Sequence, residues 1–171
     1  MNQAHVHLIL NHIPVIGMVI GFLLLAVAMA KRSTELKKLS LSVFVAMALI
    51  AIPTYLTGEP AEKIVEHLPG VSEAIIELHE GAALIALVGA EILGVFALGG
   101  LLLFRRSHTL PRWFVTISLI LSIAVAGMLG WTANLGGQIR HTEARSDFQS
   151  SPSPGTTNIE KGAEAEEQEH H

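Results

Sequence analysis

Four stretches of the chain decide what it can fold into. Residues 13–30, 39–57 and 113–131 contain no charged side chain, and residues 81–104 contain one, Glu91. At about 1.5 Å rise per residue, each is long enough as a helix to cross a hydrocarbon core of about 30 Å. The pattern predicts an all-α fold, a four-transmembrane-helix bundle in contact with the lipid bilayer. Composition agrees: half of the 171 residues are hydrophobic, only 15% are charged, and the mean hydropathy is +0.50. The residues before the first run lack a basic n-region and no clear small-x-small cleavage site is followed by a soluble mature domain, so it reads as a retained helix and not as a signal peptide.

The loops orient the bundle. Lys31, Arg32, Lys37 and Lys38 lie in the first connection, and Arg105, Arg106 and Arg112 in the third. The positive-inside rule places both on the cytoplasmic side, leaving both termini and the second connection external. The expected location is a bacterial inner (cytoplasmic) membrane, multi-pass, N-out and C-out. The second connection is rich in Glu. Pro60 fits the first turn of a short extramembrane helix that Pro69-Gly70 would end, with Ile64, Val65 and Leu68 as its apolar side. Ser72 is a candidate N-cap for the third membrane helix. After Trp131 the fourth helix leaves the apolar run, and Gly136-Gly137 reads as its break. These pieces make a membrane domain over residues 1–145. Residues 146–171 are polar, acidic and rich in Pro and Ser, the composition of a disordered tail.

The chain has no cysteine, which removes disulfides, iron–sulfur clusters, thiolate zinc sites and covalent CxxCH haem attachment. Redox or metal chemistry would have to rest on histidine and carboxylate. The net charge of −4, with no long basic run, speaks against nucleic acid as a partner. Soluble-hydrolase motifs are missing: there is no GxSxG, P-loop or HExxH.

Histidines concentrate at the external end. His12 lies in an apolar run next to Pro14, which either starts the regular helix or kinks it and frees the Leu10 carbonyl. His79 opens the third membrane helix and His141 follows the fourth. Ionisable residues in such positions usually have partners. His5 and His7 precede the apolar run and read as interfacial residues; His67 reads as solvated surface. Asn134 and Gln138 could line the same cavity, and Tyr55 reads as an interface anchor. Glu91 follows Glu80 by eleven residues, about 16 Å along a helix and about 20° around it. A carboxylate at that depth is costly unless protonated or paired, so Glu91 and Glu80 are candidates for a proton relay. Gly17, Gly21, Gly89, Gly94, Gly127 and Gly130 are placed for close helix packing.

"HIPVIG", "LHEGAALIALVGAEILG" and "GWTANLGGQIRHTE" resemble a family of small bacterial four-helix membrane proteins grouped as a domain of unknown function. That family has a His-Phe-Pro opening, a His at the third helix and a Gly-Gly-…-His close. The resemblance spans roughly residues 5–143, with Ile13 where the family has Phe. It implies shared use of His12, His79 and His141 and supplies no function.

Three functions compete. The leading expectation is a non-covalent haem b site for electron transfer, because a four-helix bundle with histidines on facing helices suits such a cofactor. His12 and His79 would be the first ligand pair, with His141 as a replacement or supporting donor. Arg140, Arg145 and Lys63 would sit near the propionates, and partners would be other membrane or periplasmic redox proteins. The second expectation is a transporter or sensor of Zn, Cu or Fe ions or of a small molecule, using His12, His79 and His141 with Glu80 or Glu143. The third is a cofactor-free structural subunit.

Overall fold

The structure, a computed structural model, describes residues 2–141 and 145. The expected tail and Glu143 lie outside the described residues. Those residues form α1 (Gln3–Ala30), α2 (Thr34–Leu56), α3 (Gly58–Val65), α4 (Glu73–Leu103) and α5 (Arg112–Arg140), with no strand among them. The fold is all-helical, and four of its helices are long and apolar enough to cross a membrane.

The helices outrun the charge-free stretches, most of all at the end where the histidines gather. α1 begins at Gln3, where the Asn2 side chain accepts the His5 N–H at 2.9 Å and caps the first turn. Pro14 is therefore inside the helix. Lacking an N–H, it leaves the Leu10 carbonyl without its helical donor. The Thr54 hydroxyl on α2, which donates to Ile50 O at 2.8 Å, stands 3.5 Å from that oxygen. The break expected at Gly136-Gly137 does not occur: α5 runs through both glycines to Arg140, with Leu135 buried beside them. Two glycines cost a helix about 1 kcal/mol each, and the packing of this turn offsets that.

α1 lies beside α2 and α5, and α4 beside the same two helices, so α1 and α4 occupy one diagonal of a four-helix square. The buried positions on α1 are Pro14, Met18, Gly21, Leu25 and Ala28; those on α4 include Ala86, Ala90, Leu93, Ala97 and Gly100. Steps of three and four residues keep one stripe of each helix turned inward, as in other bundles. Glycines let the backbones close: a Cβ on Gly21, Gly94 or Gly100 would stand 2.6, 2.4 or 2.1 Å from Phe44, Ala48 or Phe114. Gly127 and Gly130, expected in that packing, have nothing within 4 Å of where a Cβ would be. The outer surface is apolar, with Ile85, Val95, Leu102 and Leu103 all exposed.

The short α3 is shaped differently from its sequence. It ends at Val65, short of the expected stop at Pro69-Gly70; Ala61 is its buried residue, while Ile64 and, beyond the helix, Leu68 remain exposed at 38% and 39%. At the opposite end the two basic loops meet, Thr34 Oγ1 donating to His108 O at 2.8 Å.

Candidate functional site: two histidines on diagonal helices

The inward stripes continue past the apolar core into the histidine end. Seven residues before Pro14 on α1 is His7, and seven before Ala86 on α4 is His79. Two heptad-spaced residues share a helix face, so both imidazoles turn inward with the core. Both rings are half-buried. They are close enough to interact electrostatically.

Each ring is held by a carbonyl of the helix next to it. His7 Nδ1 lies 3.2 Å from Thr54 O and 3.1 Å from Thr57 Oγ1, and His79 Nδ1 lies 3.0 Å from Thr132 O. A carbonyl oxygen only accepts, so in both rings Nδ1 carries the proton. Every hydrogen bond of either ring among the described residues is made at Nδ1, which leaves each Nε2 with an unused lone pair. An imidazole with its far nitrogen donated to a carbonyl is oriented and made more basic as a ligand.

The two cradles repeat one another in sequence. "TYLTG" runs from the last turn of α2 into the first residue of α3 and "TANLG" lies near the end of α5, so Thr54 and Gly58 match Thr132 and Gly136. The threonine offers its carbonyl to the histidine, while its hydroxyl bonds back to the residue four earlier, Ile50 O at 2.8 Å and Met128 O at 3.0 Å. At Gly136 the glycine makes room for the ring, whereas a Cβ at Gly58 would stand in ordinary contact with it. A Cβ on Gly58 would come 3.8 Å from His7 Cε1, and one on Gly136 would come 3.0 Å from His79 Cε1.

The residues singled out from sequence divide around this pair. His79 is part of it. His12 is two residues before Pro14, roughly 160° around the helix from it. It lies exposed with Nδ1 bonded to Leu8 O at 2.6 Å. His141 caps α5, its N–H bonded to Gly137 O at 3.0 Å, and Arg140 is exposed. Glu80 is also exposed, and its carboxyl meets that of Glu62 on α3; this neighbour pushes the Glu62 carboxyl above the usual carboxylate range. Glu91 has a buried Oε1 with no hydrogen-bond partner among the described residues. Lys63 pairs with Glu59 at 2.7 Å. Arg145 donates to Gln138 O, Ile139 O and Gly70 O at 3.0, 3.1 and 2.8 Å, tying the end of α5 to the Pro69-Gly70 turn. Among the described residues no cluster of three or more His, Asp or Glu could hold a metal ion.

His7 is the site residue that the sequence reading missed. Its signal was the heptad from Pro14, matched by the same heptad from Ala86 to His79. No family model, curated protein or solved structure matches the chain.

Proposed function

We propose that this protein is an electron-transfer protein of the bacterial inner membrane, with His7 and His79 as the axial ligands of a non-covalently bound haem b near the external face. One observation carries the reading: two imidazoles on diagonal helices, each with its proton committed at Nδ1 and its Nε2 free to ligate. Two nitrogen donors fall short of a tetrahedral metal site, whereas His7 and His79 are the residues that would hold a haem, each through its Nε2. The residues that follow His79 down α4 on its inward side, Ala82, Ala83 and Ala86, are small. Bound between two imidazoles, haem supplies one-electron transfer with little room for oxygen.

The test is a reduced-minus-oxidised spectrum of the full chain purified in detergent after expression with haem supplied. A low-spin haem signal is expected in the parent and in His12→Ala, and is expected to vanish in both His7→Ala and His79→Ala. A colourless parent, or a signal that survives both substitutions, overturns the assignment.

A structural role is the second reading, and one observation favours it. His7 joins α1 to α2 and His79 joins α4 to α5, so each imidazole also fastens a helical hairpin. Colourless protein whose melting temperature drops in both alanine variants would favour that reading.

A further inference from the structure

We propose that the basic end of the bundle, opposite the histidine pair, is a binding surface for the headgroups of anionic phospholipids. The two loops that carry the cations are joined into one surface. Thr34 Oγ1 donates to His108 O at 2.8 Å, and the Lys38 ammonium reaches Arg105 O and Ser107 O at 3.5 and 3.4 Å. Leu110 is buried and anchors the longer loop in the hydrophobic core. The cations above it therefore stand on a fixed base.

Their charge is left over. Residues 31–38 and 105–112 hold seven Lys or Arg and one carboxylate, Glu35, and among the described residues none of these cations pairs with an acid. Arg32 is a cation kept against the preference of the backbone. It closes α1 in the left-handed region at φ 53°, with the Ser33 N–H bonded to Ala28 O at 3.0 Å. Glycine is favoured there, because a side chain crowds the following carbonyl.

Depth selects the occupant. Lys31 directly follows the last residue of α1, and Arg112 is the first residue of α5. Residues 31–33 alone link α1 to α2, and residues 104–111 link α4 to α5, so the surface stays close to the helix ends. For apolar helices that cross a bilayer, that is the level of the lipid phosphates. A dissolved nucleic acid or acidic protein would have to reach past those phosphates. The guanidinium forks of Arg105, Arg106 and Arg112 donate to paired phosphate oxygens, and Trp113, 59% exposed beside Arg112, suits the interface just below. A zwitterionic headgroup brings its own cation, so the surface favours an acidic one. It lies at the other end of the helices from His7 and His79, and its test does not depend on the haem reading.

Trp113 and Trp131 are the chain's two tryptophans, placed toward opposite ends of α5, which gives a probe at the basic end and a control at the other. The full chain is reconstituted in phosphatidylcholine vesicles in which a minor share of the lipid, either phosphatidylglycerol or phosphatidylcholine, carries brominated chains that quench a neighbouring indole. In a Trp131→Phe background, Trp113 should be quenched at least about threefold more by the acidic lipid than by the zwitterionic one. The preference should disappear in about 1 M salt and in an Arg105→Gln/Arg106→Gln/Arg112→Gln variant. In a Trp113→Phe background, Trp131 should show no preference. Equal quenching of Trp113 by the two lipids overturns the proposal and leaves the cations with orientation as their role. An equal preference at Trp131 also overturns it, as does a preference that inorganic phosphate removes when chloride of the same ionic strength does not, which would mark a site for the free anion. The salt comparison needs no arginine substitution, so a triple variant that fails to fold leaves the test standing.

Discussion

The partner of one N–H, not the position of its proton, separates His7 and His79 from His12. His7 and His79 donate Nδ1–H to carbonyls on another helix, whereas the His12 ring bonds within its own turn. A bond across helices fixes the ring relative to the bundle; one within a turn fixes it only relative to its own backbone. The matching glycines are not equally tight. At Gly58 a Cβ falls at ordinary van der Waals distance from His7, and at Gly136 it crowds His79 at 3.0 Å. Gly58→Ala should then change stability by less than about 1 kcal/mol. Gly136→Leu should cost about 1–3 kcal/mol through overpacking and push His79 off Thr132 O. Thermal unfolding of both variants, with the haem spectrum beside it, checks this: equal effects at the two glycines would contradict the asymmetry.

Among the elements, the apolar helices were legible because charge in lipid is costly, so runs with none, or with Glu91 alone, announced themselves. Their ends were not. Residues 3–12 and 132–140 hold enough polar side chains to read as exits, yet capping by Asn2 and the burial of Leu135 keep them helical. Moving the start of α1 from Ile13 to Gln3 is what brings His7 into the core stripe, which is why the pair stayed hidden while His79 alone was found. The short α3 adds a pH-sensitive contact. Glu80 raises the Glu62 pKa in the folded protein. Its stabilising contribution is therefore present in acid, below the ordinary carboxylate pKa, and is lost as pH rises through the raised value. Glu62→Gln should give a small rise in melting temperature at pH 7 and none at pH 4, small because the pair is open to solvent. A rise of the same size at both pH values would show that the two carboxyls do not interact.

For the molecule as a whole, the absence of cysteine makes orientation directly measurable. If the positive-inside rule sets the orientation, a single cysteine at Glu66 should react with a membrane-impermeant maleimide in intact cells, and one at Ser107 only after lysis. The reverse pattern would put the histidine pair on the cytoplasmic side. The diagonal placement of α1 and α4 has another consequence. On the haem reading each hairpin is half of the site: α1–α2 carries His7 with the carbonyl that aligns it, and α4–α5 carries His79 with its own. The ribosome delivers these halves one after the other, and neither can clasp a two-coordinate guest by itself. Loading would therefore wait until both hairpins have met, so that an occupied centre certifies a finished protein.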